Sequence, residues 1–590
     1  MITLGINAAF HDSAAALVVD GEVVAAAEEE RFTRIKHAKR PLPFSAWELP
    51  FHAIHYCLQQ AGIALTDVDH VGYSFDPERF IDGRLSGETI ELPLVPSARP
   101  DPRWDNPWDP LFAAYVKSAP RQLADGAPHH LKARFAGARF DGPYRFHFLD
   151  HHLCHQASAF LAAPFERCAV LTLDGRGEWA TTTYGCYRGD RYEPLGDVGM
   201  PHSLGLLYER ITAHLGFLSS SDEYKVMALA AQGRPRWAQL MAEHIKLGPE
   251  GRYRIEPIDL LAMAGPARQP GTPLQQQHLD LAASLQHVLE HTVLELARWL
   301  REASGERCLA MAGGVALNCV MNARLRDSGI FEQVWVQPAA GDAGTALGAA
   351  LWADATQRIK PPAALLRGAE TALAPRNWSM DSALLGPSWR DDEIETLLRW
   401  TGLPYERLDQ PAERVAALLA EDLVIGWFQG RMEFGPRALG ARSIIASPIS
   451  ARMQARINEL KDREDFRPVA PAIPEEDLAE WFEPAQANGG VSPFMLFVYQ
   501  VLPEQLTRIP SACHSDGSAR VQTVSPSDGT GFHALLKAFG RLTGVPVLIN
   551  TSFNVRGQPV VCTPQDALHA WVSTPVDALV LGPFLLRKQH

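Results

Sequence analysis

Short apolar runs separated by tight polar turns dominate the first 190 residues, and their spacing predicts strands in groups. Ile2 to Ile6, Ala14 to Val19 and Val23 to Ala27 are three such runs. The last two are joined by Asp20-Gly21, so the pattern reads as a strand, a polar loop and a hairpin. Arg145 to Leu149 predicts a further strand that runs into His151-His152-Leu153-Cys154-His155, where Ala and Leu content predicts a helix as far as Pro164. A second hairpin follows: Ala169 to Leu173 ends at Asp174-Gly175-Arg176-Gly177, and Trp179 to Tyr187 returns with β-branched and aromatic residues. The first hairpin thus has an echo.

From Leu279 to Leu300 the period changes. Leu281, Leu285, Val288, Leu289, Val293, Leu296 and Leu300 keep helical spacing, which predicts one long amphipathic helix with its stripe in the core. Two strand-then-glycine units come next, Cys308 to Ala312 into Gly313-Gly314, and Val334 to Gln337 into Gly341-Asp342-Ala343-Gly344 ahead of an alanine-rich helix. Each places small residues at the carboxyl edge of a sheet. Residues 80–110, rich in Pro and Asp with Trp104 and Trp108, read as a surface excursion or lid. The stretch 355–390, carrying Pro361, Pro362, Pro375 and Pro387, reads as a linker between domains.

Composition narrows the class. At 590 residues the chain exceeds one hydrophobic core, so two to four domains are expected. Hydrophobic residues at 46% and charged residues at 21% exclude a disordered tail, a collagen or a coiled-coil rod. The eight cysteines form no Cys-x-x-Cys, which excludes zinc ribbons and thioredoxin-like motifs and suits reduced thiols in a cytosol. The N-terminus meets His11 and Asp12 before any signal-length apolar run, and no stretch reaches the ~20 residues of a spanning helix. A cytoplasmic protein with no membrane partner is expected. A net charge of −13 repels polyphosphate backbones, so nucleic acid is not an expected partner.

Candidate chemistry follows from spacing. His151 and His155, four apart at a helix start, project from one face and are placed to share a metal ion, although such pairs are often surface or capping histidines. Asp174 and Asp342 each end a buried-looking strand beside small residues, as ligand carboxylates do and as turn-forming aspartates also do. Two imidazoles and two carboxylates suit a first-row ion such as iron or zinc. His152 points about 100° away by the helical period and is left out. The loop from Gly313-Gly314 to Asn318 allows close approach of a nucleotide, or is a generic glycine loop. In the C-terminal part, Gln429 to Arg467 carries Arg431, Arg437, Arg442, Arg452, Arg456, Lys461, Arg463 and Arg467. Broken by glycine and proline, this cluster fits a pocket for small anions, with a solvated helix face as the competing reading for residues 452–463. Arg520 and the block Asn550-Thr551-Ser552-Phe553-Asn554 are candidates to line the same pocket.

GINAAFHDSAAALV, AAAEEERFTRIKH, HHLCH with ASAF, LTLDGRGEW, EYKVMALA, GGVALNCVMN, GDAGTALGAA, EFGPRALGARSI, FRPVAP and NTSFN, in order across nearly the whole chain, resemble the NodU/CmcH family of O-carbamoyltransferases. The resemblance implies an α/β protein. Residues 1–360 would form a Kae1-like domain of the actin, Hsp70 and sugar-kinase type, with two duplicated halves. Residues 361–390 would be the linker and 391–590 a YrdC-like α/β domain. It further implies that the second domain makes carbamoyl adenylate from carbamoyl phosphate and ATP, releasing pyrophosphate and phosphate, and that the first passes the carbamoyl group to a hydroxyl of a small-molecule acceptor, as in antibiotic or secondary-metabolite biosynthesis. By similarity the metal, Fe2+ or another divalent first-row ion, sits on His151, His155, Asp174 and Asp342, and Mg2+ accompanies ATP.

Within that scheme Arg437, Lys461, Arg467 and Arg520 would neutralise phosphates while Ser552 donates a hydrogen bond, with Lys461 and Arg467 in catalytic roles. Gly313, Gly314 and Asn318 would hold adenosine, and Lys225 would contact the nucleotide unless it is an ordinary exposed helix lysine. His11 is the candidate to take the acceptor's proton, since an imidazole titrates near neutrality. A kinase of the same superfold would share the hairpins but needs neither paired histidines nor a basic second domain. A tRNA threonylcarbamoyl transferase would be expected to show a basic surface. A nucleotide-switched scaffold would lack the anion pocket. Acceptor, metal identity and oligomeric state, a homodimer included, are left open.

Overall fold

In the computed structural model, the described residues are 1–38, 49–80, 116–125, 142–359, 370–483, 485 and 490–588. Most of the 80–110 excursion, and 361–369 of the linker, lie outside them. The first apolar runs form β1 (Ile2–Asn7), β2 (Ala14–Val19) and β3 (Glu22–Glu28), joined antiparallel, with β4 (His70–Tyr73) and β5 (Arg145–Phe148) added parallel to β1. The sheet order is β3-β2-β1-β4-β5. The echo is equally regular. β6 (Arg167–Leu173), β7 (Ala180–Arg188) and β8 (Arg191–Gly199) form the second antiparallel meander, and Cys308–Ala312 and Gln333–Val336 extend it parallel to β6. Both halves therefore share one strand order, the duplicated topology of the actin and sugar-kinase type.

Three details went beyond the periodicity. β8, with Pro194 and two glycines, carries no alternation, and it pairs with β7 through register shifts. The long helix is Gln276–Ser304, a turn longer at its N-terminal end than the apolar stripe marks, and Gly305 at φ +70° ends it. Thr371–Ala372, within the stretch read as a linker, pairs antiparallel with β8, and Gly386 N donates to Met432 O at 2.9 Å.

What seats the halves against each other is small-residue packing. The alanine-rich helix Ala343–Gln357 lies on β1 and β4 so closely that a Cβ on Gly5 would meet Ala346 O at 2.0 Å. On its other side a Cβ on Gly348 would meet Cys154 O, in the helix His151–Phe160, at 1.8 Å. Gly348→Ala is therefore expected to destabilise the protein by about 3 kcal/mol, because the backbone of the helix His151–Phe160 must give. A lower urea midpoint at unchanged slope is the check.

At the outer edge of the first sheet, His70 Nδ1 lies 2.9 Å from His147 Nε2 with the rings stacked. Burial, together with His70 and Arg145, pulls His147 down to about 4. The unfolded chain binds that proton near 6.5 and the native state refuses it until about 4, so stability is present above this window and lost as pH falls through it. His514, discussed below, acts with the same sign. Between pH 7 and 5, His147→Phe is expected to remove about 1 kcal/mol of the wild-type loss, after discounting for partial exposure. Denaturant unfolding at the two pH values measures it.

The C-terminal part is a mixed eight-stranded α/β unit, in which Ile425–Phe428, Arg442–Ala446, Leu548–Ser552 and Ala470–Pro474 lie side by side. EFGPRALGARSI, NTSFN and FRPVAP thereby come together on neighbouring strands. No helix among the described residues is long and apolar enough to cross a membrane.

Candidate active site

His151 and His155 open one helix, whose N-cap Asp150 accepts from Leu153 N, and they stand one turn apart on one face. Asp174 follows β6, and Asp342 is the N-cap of Ala343–Gln357. The ends of two sheets and the starts of two helices thus converge between the duplicated halves. His151 Nε2 lies 3.8 Å from Asp174 Oδ2 and 3.6 Å from Asp342 Oδ1, and His155 Nε2 lies 4.0 and 3.6 Å from the same atoms. All four side chains are buried.

The donor set fits a metal. His151 Nε2 and both nitrogens of His155 are buried without a hydrogen-bond partner among the described residues, an arrangement that strongly disfavours an empty cluster. His151 Nδ1 faces the Ser74 carbonyl at 3.1 Å, which can only accept, so Nδ1 carries a proton and Nε2 is the atom that would ligate a metal. Asp174 is oriented by Gly314 N, which donates to Oδ1 at 2.7 Å. Burial opposes charge on Asp342, yet His11, His151 and His155 hold its carboxyl well below the usual range. Behind the cluster Glu178 accepts from the backbone N–H of His151 and Asp76, and burial beside Asp150 pushes it up to about 8.

His11 stands at the mouth, Nδ1 2.9 Å from Asp12 and 3.7 Å from Asp342, with its side chain 30% exposed. Asp12 also binds His37 Nδ1 at 2.8 Å, and His37 reaches Ser221 Oγ at 3.2 Å. His37 ends the motif AAAEEERFTRIKH, and only its own presence there signals it. His152 turns away to Thr183, as the helical period requires.

Between the two parts of the chain lies a cavity of about 910 Å³. Glu223–Ala230, Gln276–Ser304 and Cys319–Asp327 wall it from one side, and Arg437, Arg463, Arg467, His514 and Arg520 from the other. Arg437 Nε, Arg463 Nη2 and Arg520 Nε are buried with no hydrogen-bond partner among the described residues. Burial and the neighbouring Arg520 press Arg437 down to about 9, and burial with Arg467 and Arg520 does the same to Arg463. Cations so arranged repel one another and are relieved by an anion. Arg467 lies over the Tyr224 ring at 4.7 Å, so the two parts of the chain meet across the site. The loop that carries Arg437 is closed by Glu433 Oε1, which accepts the N–H of Leu439, Ala441 and Arg442.

Of the residues singled out from sequence, Arg437, Arg463, Arg467 and Arg520 line this cavity, and His514 joins them. Lys461 and Ser552 do not; they bind each other, with Lys461 Nζ 3.0 Å from Ser552 Oγ and 2.8 Å from Asn554 Oδ1. Burial with Arg463 and Arg467 drives Lys461 well below the ordinary lysine range. Lys225 is not an exposed helix lysine but bridges Asp222 and Glu464 at 3.1 and 3.0 Å. Gly313, at φ +94°, abuts Leu173 O where a Cβ would lie 2.2 Å away, and Asn318 caps Cys319–Asp327 while exchanging amide hydrogen bonds with Gln286. Of the rest of the basic run, Arg431 and Arg442 are spent on buried carbonyls, Arg456 on Asp577 and the Asp422 carbonyl, and Arg452 is exposed.

Two family models match the chain, one described as Carbamoyltransferase N-terminus over residues 2–133 and 137–351, the other as Carbamoyltransferase C-terminus over 416–588. An uncharacterised protein of Synechocystis is 39% identical over 99% of this chain and 96% of its own. Nodulation protein NolNO of Sinorhizobium fredii is 39% identical over 99% of this chain and 80% of its own. Nodulation protein NolO of Bradyrhizobium diazoefficiens is 40% identical over 75% and 79%.

Proposed function

The chain belongs to the carbamoyltransferase family and is a carbamoyl-transferring enzyme, and from that premise we propose an ATP-dependent O-carbamoyltransferase acting in the cytoplasm on a hydroxyl of a small-molecule acceptor, in secondary-metabolite tailoring. The observation that supports it is the arginine cavity, with guanidinium nitrogens left unpaired among the described residues in a protein of net charge −13. Two anions, ATP with its Mg2+ and carbamoyl phosphate, fit such a wall.

In the first step water attacks the phosphorus of carbamoyl phosphate and its P–O bond breaks, leaving carbamate and phosphate. A carbamate oxygen then attacks the α-phosphorus of ATP, and pyrophosphate departs as carbamoyl adenylate forms. Arg437, Arg463, Arg467 and Arg520 hold the phosphates and neutralise developing charge, while Lys461 and Ser552 brace the strand edge behind them. In the second step the acceptor oxygen attacks the carbamoyl carbon, AMP leaves with the bonding electrons, and His11 takes the hydroxyl proton. Asp12 binds His11 Nδ1 at 2.9 Å and so fixes the ring. A divalent first-row ion such as iron on His151, His155, Asp174 and Asp342 would supply Lewis-acid polarisation there. Gly313, Gly314, Asn318 and Lys225 are the candidates to position adenosine beside it.

The test is mass spectrometry and pyrophosphate assay on the purified chain given ATP and carbamoyl phosphate. Carbamoyl adenylate with stoichiometric pyrophosphate is expected. Neither product, with nucleotide and metal bound, would return a kinase of the same superfold to the front.

A further inference from the structure

One imidazole in the cavity wall has its proton placed by the hydrogen bonds around it. Ser518 Oγ donates its single proton to Asp516 Oδ1 at 2.7 Å and lies 3.0 Å from His514 Nδ1. Only a lone pair of that hydroxyl is left for the ring, so Nδ1 carries the ring proton and Nε2 is bare. A tight turn holds this geometry: His514 N donates to Ser518 O at 2.7 Å, Gly517 N to His514 O at 3.1 Å and Ser518 N to Asp516 Oδ1 at 3.0 Å, with Gly517 at φ +79°. Burial pulls His514 down to about 4, with Arg520 adding to it against Asp516, so the ring is neutral at physiological pH. No hydrogen bond to Nε2 is made among the described residues.

An uncharged acceptor beside Arg520 has a particular use. A carboxylate in that place would repel a phosphate dianion held by the arginines, whereas a neutral lone pair does not. In carbamoyl phosphate the group attached directly to the phosphate is an amide with two N–H donors, while the amino group of adenine is separated from its phosphates by the ribose. We propose that His514 Nε2 accepts an N–H of the carbamoyl group and so selects carbamoyl phosphate over an acyl phosphate of equal size that ends in a methyl group. A methyl leaves the acceptor unpaired, and sites built around a hydrogen bond discriminate strongly against analogues that lack it. The inference rests on the carbamoyl phosphate reading above.

Steady-state pyrophosphate release by the full chain, with carbamoyl phosphate or acetyl phosphate as the acyl donor, tests it in wild type, His514→Leu, His514→Gln and His514→Asn. His514→Leu is expected to raise KM for carbamoyl phosphate about tenfold or more, to narrow the preference over acetyl phosphate by the same factor, and to leave KM for ATP within twofold. His514→Gln, which keeps an acceptor at similar reach, should recover much of both. If the leucine variant does not fold, His514→Asn, too short to reach, carries the same comparison. Unchanged KM and unchanged preference in a folded variant overturns the assignment, and so does a change confined to KM for ATP. Wild type that releases no pyrophosphate with carbamoyl phosphate overturns the underlying reading and this inference with it.

Discussion

Arg467→Ala is expected to lower pyrophosphate release from ATP and carbamoyl phosphate at least a hundredfold while leaving the protein as stable as wild type or more so. Arg467 faces the cavity with Arg463 and Arg520, and its side chain is 22% exposed, so truncation opens no core. The charge it supplies to bound anions is of the kind worth roughly two to three orders of magnitude in rate. Its presence also presses Arg463 and Lys461 toward neutrality, a repulsion that the unliganded protein bears. Removing it relieves that repulsion, so activity and stability should move in opposite directions. Pyrophosphate assay and thermal melts together read this, and a variant that loses both would show a merely structural arginine.

The second large effect is expected at the other site. His155→Ala should abolish carbamoyl transfer, by about a thousandfold or more, with pyrophosphate release persisting. His155 is the informative ligand to remove because neither of its nitrogens has a hydrogen-bond partner among the described residues, so the substitution breaks no protein hydrogen bond. Metal content measured on the purified variant should fall in step with transfer. Full metal content and full transfer would show that these four side chains do not hold the ion. Release of pyrophosphate lost along with transfer would show that the two sites are not chemically separable.

Much of this arrangement is legible in the amino-acid order. The spacing of His151 and His155 puts both on one helix face, and Asp174 follows its strand as read, whereas Asp342 lies beyond the strand Gln333–Val336 and caps the next helix. The echo of the first hairpin in the second is the visible half of a duplication that extends to all five strands of the first sheet and five of the six in the second. The basic run from Arg431 to Arg467 was less informative than its density suggested. Arg431 and Arg442 bond backbone carbonyls, among them Leu385 O and Pro387 O, and Lys461 turns to Ser552 and Asn554. Arg463, from that run, does face the cavity, whereas His514 enters it without a local pattern that distinguishes it from neighbouring polar residues.

The reason lies in the range of the interactions. Strand and helix identity, turns, and the face on which a side chain emerges depend on neighbours within a few residues, and those the amino-acid order determined by itself. Whether an arginine is left with an unpaired nitrogen, or a histidine with a bare one, depends on what a distant segment brings to it. Arg31 donates to Gly435 O across 404 residues, Arg437 reaches Leu317 O across 120, and Arg467 stacks on Tyr224 from the other part of the chain. Burial and hydrogen-bond partners at such separations exist only once the chain has folded, so the tertiary structure alone decided which cations face the anion cavity and which proton His514 keeps.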